Sequence, residues 1–535
     1  MIELPAVVER TSRGQASSDH AEWPAEYAAR LHARYAATAI DQERRDFGQF
    51  FTPVAVARMM ARMAMTTESE TLRVLEPGAG AAVLSSALCE SLPPSVRSIH
   101  IDAFELHPAL ADLCEDTLSY AAGWLDERGV RCTFVVHRND FVLENGARLS
   151  GRWFDERAHP YDIAIANPPY FKLQKQDPRA LAAAEIVHGQ PNIYAIFMAL
   201  MAALLGEEGT MVTITPRSFT AGNYFRRFRE VLFSTVVPDA VHLFTSRRDA
   251  FRVDEVLQEN VVMRARRVAP QRNARVTIST STGVHDLEES ASRDVPLPDV
   301  VDLASRDLTV HIPTTDVEDD VLSLVRSWPH TLHSLGLQVS TGPVVAFRAT
   351  EFLRAEGSSE TVPLLWLQNV RQMAVRWPAA TSKRQHIVAN EDSDPLLLPN
   401  RTYIIMRRFS AKEEHRRLVA APLFEGDLPG SVIGLENHLN YIYRPKGLIH
   451  RDEAIGLAAL LSSELVDRFF RISNGNTQVS AAELRKLPLP SRSLLETIGR
   501  SVALGGTGLD RSVAETLHVP EKLLQELKSG GDGEG

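Results

Sequence analysis

Between residues 71 and 216 short apolar runs alternate with longer amphipathic ones, and this alternation limits the available folds more than any other feature of the chain. "LRVLEP", "SIHIDAFE", "CTFVVHRND", "YDIAIANPPY" and "GTMVTITP" are predicted strands, and "AAVLSSALCESL", "PALADLCEDTLSYAAGWLDE" and "YAIFMALMAALLG" are predicted helices between them. Parallel strands need a crossover of about that length, whereas antiparallel neighbours need only a tight turn. The predicted class is therefore α/β, a doubly wound sheet whose ligands gather at the C-terminal ends of its strands.

The polar residues of this region sit at those ends. "VLEPGAG" places Gly78 and Gly80 after the first strand, where a missing side chain lets backbone approach a ligand, and puts the carboxylate of Glu76 beside them. A carboxylate there favours an amine or hydroxyls over a phosphate. The second strand ends in Glu105, suited to ribose hydroxyls, and the third in Asp140 and Phe141, an acceptor and a ring suited to an adenine. The fourth ends in Asn167, Pro168, Pro169 and Tyr170. The prolines stop sheet pairing and stiffen the turn, leaving acceptors and a flat ring, a set that suits a planar group carrying an NH2. An isolated Asn-Pro-Pro is more simply a strand-to-loop turn. Four successive strand ends of this kind point to an adenosine-containing ligand without a phosphate.

Elsewhere, residues 1–20 are predicted to be disordered, and a helical pattern starts at Ala25. Strand-rich sequence from 236 to 310 suggests the end of the sheet, and a boundary is expected near 330. The expected organisation is a catalytic domain over 21–330, a mixed α+β domain over 331–495, and a helical segment with a flexible tail over 496–535. No apolar stretch suits a membrane span, and Cys89, Cys114 and Cys132 show neither a disulfide framework nor metal spacing, so a soluble cytoplasmic chain without a metal is expected. The net charge of −10 argues mildly against a nucleic-acid partner, but residues 401–420 carry five Arg and one Lys against two Glu, a local balance of +4, and Arg226, Arg227 and Arg229 form another cluster. A solvated helix face explains either cluster equally well.

With these motifs in place, the chain resembles the DNA adenine-N6 methyltransferases of restriction-modification systems, in the TaqI-like order with the catalytic domain first and the target-recognition domain last. The resemblance spans most of the chain. "FGQFFTP" (47–53) matches the upstream cofactor motif, "LEPGAG" the first methyltransferase motif, "NDF" the third and "NPPY" the catalytic fourth, while "NIYAIF" and "DEVLQENVVM" are similar to later members of the series. Ala82 stands where that motif often has a third glycine. "VSTGPVVAFR" (339–348) and "SNGNTQVSAAELRKLPLPS" (473–491) resemble target-recognition domains, and the second half is similar to PstI-like enzymes, which implies CTGCAG as the site.

The resemblance implies a Rossmann-like domain binding S-adenosylmethionine, with Phe51, Thr52 and Pro53 closing the pocket and Phe197 contributing to it. Glu76, Gly78 and Gly80 would hold the methionine part, Glu105 the ribose, and Asp140 with Phe141 the adenine. Asn167 and Pro168 would accept the two N6 hydrogens of an adenine flipped out of double-stranded DNA, and Tyr170 would stack on that base. Phe251 is a candidate for its other face, with core packing the equal alternative. Arg407, Arg408, Asn474 and Asn476 are candidate DNA contacts. The implied partners are a specific DNA site and a cognate endonuclease acting separately, with the methyltransferase a monomer. A protein glutamine-N5 methyltransferase shares the Asn-Pro-Pro-Tyr signature, but those enzymes lack a large module after the catalytic domain. A DNA-binding module with an inactive methyltransferase fold conflicts with the intact motif series.

Overall fold

The computed structural model describes residues 22–37, 52–66, 69–146, 160–186, 191–245, 260–409, 416–473, 478–505 and 508–529. The chain divides into two compact units, Met1–Thr314 and Thr315–Gly535.

In the first unit the described strands are β1 (Thr71–Pro77), β2 (Ser98–Phe104), β3 (Arg131–His137), β4 (Tyr161–Ala166), β5 (Leu205–Pro216), β6 (Val237–Phe244), β7 (Asn260–Arg266), β8 (Arg275–Ser281) and β9 (Ala291–Pro296). They form one sheet in the order β3-β2-β1-β4-β5-β7-β6-β8-β9. β1 to β5 are parallel, and β7 runs antiparallel to β5 and β6. Strand periodicity explains the apolar runs: Leu75 and Ala164 pack on one face with helix Ile193–Leu204, while Val74, Ile163 and Ile165 pack on the other with helices Val54–Ala64, Val83–Glu90 and Pro108–Asp126. Helix Ile193–Leu204 is apolar all round because helix Arg226–Thr235 and the sheet both cover it. β5 starts four residues before the predicted strand, since Tyr161 already pairs with Leu205 and a register irregularity precedes the pairing of Ile163 with Thr210.

The unit boundary falls before the expected position near 330. Helix Asp316–Arg326 buries Val321, Leu322 and Val325 in the core of the second unit, beside Leu465 and Phe469. That unit is mixed α+β. One sheet is antiparallel, in the order Gln338–Thr341, Leu439–Tyr443, Tyr403–Arg407, Ala420–Leu423. A five-stranded sheet, a two-stranded sheet and helices including Arg451–Leu461, Arg492–Leu504 and Glu521–Ser529 accompany it. Among the described residues no helix is long and apolar enough to cross a membrane.

The arginine cluster at 226–229 divides by burial. Arg226 and Arg227 pair with Glu230 at 3.0 and 3.2 Å on the helix surface. Arg229 is fully buried, and its guanidinium donates to the carbonyl oxygens of Phe219, Ala221, Gly222 and Asp307. A buried carbonyl left without a donor costs about 1 to 3 kcal/mol, and a lysine ammonium cannot span four of them. Arg229→Lys should therefore cost about 3 kcal/mol or more in thermal unfolding, while Arg227→Ala should stay within about 0.5 kcal/mol of the parent. Equal melting temperatures for the two variants would contradict this division.

Candidate active site

β1 and β4 are neighbours that the chain leaves in opposite directions, so a crevice opens at their C-terminal ends. The turn after β1 holds Gly78 at φ +71°, Gly80 at φ +55° and Ala82 at φ +56°. The left-handed region favours glycine at the first two positions, and Ala82 carries about 1 to 2 kcal/mol of strain as the residue before helix Val83–Glu90. The amides of Gly78 and Ala79 donate to the Phe104 carbonyl at 2.8 and 2.9 Å, which folds the turn over the end of β2.

Glu105, the residue after β2, fastens this turn: one carboxylate oxygen accepts from the Gly80 amide and the other from the His107 amide, both at 2.8 Å. Burial pushes its pKa up, against these hydrogen bonds. Asp140 caps helix Phe141–Asn145, its Oδ1 accepting from the Val142 and Leu143 amides at 2.9 and 3.0 Å. Its Oδ2 lies 3.8 Å from Arg179 Nη1. The Phe141 ring meets Phe104 at 5.2 Å and Phe197 at 5.1 Å, and Phe104 stacks on His137 at 4.3 Å. Thus a cleft forms that gathers Gly78, Gly80, Glu105, Asp140, Phe141, Asn167, Pro169 and Phe197.

Glu76 does not line this cleft. It is 1% exposed, and its Oε2 accepts from the Ser85 amide at 3.0 Å, tying the first turn of helix Val83–Glu90 to the end of β1. Burial pushes its pKa up to about 7 against hydrogen bonds from Ser85, and the Glu105 carboxylate adds to the rise.

Asn167 stands at the end of β4. Its Nδ2 donates to Thr52 Oγ1 at 3.0 Å, and the Tyr170 hydroxyl lies 2.5 Å from Asn167 Oδ1 and 2.8 Å from the Ile214 carbonyl oxygen. The Tyr170 ring packs inward on the core, edge-on to Tyr194 at 6.2 Å, and burial pushes its pKa well above the usual range. Pro168 is buried beside it, and neither lines the cleft. Pro53 precedes helix Val54–Ala64.

The cleft also contains residues the sequence reading passed over. Phe104 is the last residue of β2, one place before Glu105, so the strand-end rule could have found it. Phe171 and Arg179 come from the segment after β4, which has no periodicity to signal them; Asp177 clamps Arg179 through two hydrogen bonds at 2.9 and 2.7 Å.

In the second unit Arg407 is only 8% exposed, and its Nε donates to the Val370 carbonyl at 2.8 Å. Arg408 is half-buried, with Nη1 donating to the Asn437 carbonyl at 3.1 Å. Further along the basic run Arg416 pairs with Asp510 and Arg417 is buried. Phe51, Phe251, Asn474 and Asn476 lie outside the described residues.

Residues 133–251 match the Eco57I restriction-modification methylase family. The chain is 31% identical over 489 residues to the type II methyltransferase M.PstI of Providencia stuartii, covering 89% of this chain and 94% of that protein. It is 32% identical over 491 residues to M.BsuBI of Bacillus subtilis, covering 89% and 95%. Among solved structures, DrdV in complex with DNA aligns with a TM-score of 0.48 and 13% identity, covering 90% of this chain and 60% of that one.

The Glu76 environment has a measurable consequence. The folded protein keeps the Glu76 proton up to about pH 7, whereas the unfolded chain releases it near the ordinary 4.5. Proton retention thus stabilises the fold at low pH, and this contribution is lost as pH rises from 4.5 through 7, by on the order of 3 kcal/mol. Glu76→Gln should flatten the fall in thermal stability between pH 5 and 7.5. A variant that keeps the parent's full slope would place the titration elsewhere.

Proposed function

Because the chain belongs to the type II restriction-modification methyltransferases, enzymes that use S-adenosylmethionine, we propose that it methylates the N6 amino group of an adenine turned out of a specific site in double-stranded DNA, protecting that DNA from a separate endonuclease. The observation that carries this reading is the stiff, acceptor-bearing turn at 167–170, next to a cleft of rings and carboxylates.

The cleft fits the cofactor. Aromatic walls of Phe104, Phe141 and Phe197 suit an adenine ring, Glu105 and Asp140 supply acceptors, and a side chain built at Gly80 would meet nothing within 4 Å. Arg179, the arginine among the described lining residues, is already held by Asp177, so its guanidinium is not offered to a phosphate. When bound, S-adenosylmethionine supplies a methyl group on a positively charged sulfur, already activated for transfer.

The residues then have separate tasks. Glu105 accepts from the ribose hydroxyls with the lone pairs that Gly80 and His107 leave, and Asp140 accepts from the cofactor's adenine amine through Oδ2. Glu76 acts indirectly, through the helix amide that fixes the glycine turn. Asn167 Oδ1 and the Pro168 carbonyl would take the two N6 hydrogens of the target, drawing the nitrogen lone pair out of conjugation with the ring, and one of those hydrogens would leave as a proton once the nitrogen is methylated. An amide oxygen has two lone pairs, so Asn167 can accept from the Tyr170 hydroxyl and from N6 together. Tyr170 thereby orients the acceptor, a role beyond the stacking expected from sequence.

Sequencing of methylated bases in DNA from cells expressing the chain tests the reading. Modified adenine in one short context is expected, CTGCAG by the PstI-like resemblance; unmodified DNA or modified cytosine would overturn it. With the site known, Asn167→Ala should reduce methyl transfer by orders of magnitude and change cofactor affinity far less. Tyr170→Phe should lower transfer about 3- to 10-fold, the equivalent of one neutral hydrogen bond. Parental kinetics for Tyr170→Phe would leave the hydroxyl without a role and return Tyr170 to stacking alone.

A further inference from the structure

Three sequence segments that are far apart in the chain meet at one end of the antiparallel sheet in the second unit. Thr341 pairs with Asn440, and Arg407 with Leu439, so the loop after Thr341, the residues before Leu439 and the residues after Arg407 share that end. Phe409 bridges to Gln478 and the Val479 amide donates to the Arg408 carbonyl, which brings in the segment that starts at Gln478. Both target-recognition-like segments and the basic run therefore converge there.

The loop after Thr341 is anchored on both flanks. Gly342 packs so closely on the carbonyl oxygens of Leu435 and Glu436 that no side chain fits. Val344 pairs with Glu436 and is fully buried, and the Ala349 amide donates to the Val345 carbonyl while Ala349 itself packs on Leu353 and Trp366. Between these anchors Phe347 is 78% exposed, with the Arg348 guanidinium 5.3 Å from its ring centre. Exposing a whole phenyl ring forgoes about 1.5 to 3 kcal/mol of burial, and here mobility does not explain it because both flanks are fixed. The same end carries Arg408 over the Phe409 ring and Phe409 against His438, whose Nδ1 lies 2.6 Å from the buried Glu436 carboxylate, so cations and rings are found together there. That composition matches stacked bases edged by phosphates.

We propose that Phe347 is a wedge that inserts against a base step of the bound duplex, with Arg348 meeting the adjacent phosphate. The inference rests on the reading that the chain methylates DNA, and it adds a residue that deforms the site. A wedge of this kind makes recognition sensitive to how easily the step unstacks, at positions where no hydrogen bond reads the base.

The test uses the full chain and a duplex carrying its methylation site, with 2-aminopurine placed at successive positions. Phe347→Ala should weaken binding roughly 5- to 100-fold, the range for losing one base–aromatic stack, and abolish the fluorescence rise at one step. Phe347→Trp should restore both. Leu504→Ala, which removes an apolar side chain 85% exposed on helix Arg492–Leu504, should leave both unchanged. Parental binding and fluorescence in Phe347→Ala, failure of Trp to restore them, or an equal loss in Leu504→Ala would overturn the proposal. The unsubstituted chain is read first: if it does not methylate DNA, the functional reading itself fails, which is a different result from a silent Phe347→Ala.

Discussion

The parallel pairing of β1 with β4 is the constraint on which the rest of the first unit depends. Val74 faces Ile163 and Leu75 faces Ala164, and both strands are apolar on both faces because helices cover the sheet above and below. Such a pair can sit only in the middle of a sheet. Since the chain leaves β1 toward β2 and leaves β4 toward β5, no crossover helix covers the gap between them, and the two turns that follow face each other. The contact is close: a side chain at Gly78 would touch Pro169 and Phe197. The glycine turn and the Asn-Pro-Pro turn, some ninety residues apart, become one site through an arrangement selected by burial.

Within that site the carboxylates serve the backbone before they serve any ligand. Glu76, Glu105 and Asp140 each accept amide hydrogens from the turn or helix that follows a strand. A turn rich in left-handed residues has few internal hydrogen bonds, so these acids supply the partners its amides need. Deeper in the sheet Asp102 does the same for side chains: burial alone would raise its pKa, but hydrogen bonds from His100 and His137 hold it well below the ordinary range. His137 in turn stacks on Phe104, so the cleft's aromatic wall is backed by a hydrogen-bonded network. Preorganisation of this kind lets weakly polar acceptors align a reaction that needs geometry more than strong acid or base.

Strand ends were legible from sequence because an apolar run that stops at a polar residue announces both the element and its direction. What the sequence could not convey was which partner each polar group finds. Glu76 looks like a ligand acid until the first turn of the next helix is seen to take one of its oxygens, and nothing in the sequence places the Tyr170 hydroxyl between Asn167 and Ile214. Arg407 and Arg229 look like surface charge in a window of basic residues, yet each is buried against carbonyl groups distant in sequence. The same limit moved the unit boundary: helix Asp316–Arg326 has an apolar stripe with no label saying which core it joins. Local pattern fixes element type and facing, while partner choice is a property of topology.

Topology also explains how the second unit can present one surface from remote segments. In an antiparallel sheet neighbouring strands run in opposite directions, so the C-terminal ends of Gln338–Thr341 and Tyr403–Arg407 lie beside the N-terminal end of Leu439–Tyr443, however long the chain between. Residues near 345, 408 and 437 meet at one end for this reason, and Gln478 joins them through its bridge to Phe409, all held by main-chain pairs that do not depend on which side chains project outward. Buried groups such as Arg407 and Asn440, which donates to the Val479 carbonyl, brace that end from beneath. The outward side chains are thereby released from folding duties and can vary with the ligand, whereas the bracing residues cannot. Exposed residues such as Phe347 can therefore be exchanged without disturbing the sheet that carries them, whereas a change at Arg407 or Asn440 leaves a main-chain carbonyl without its partner.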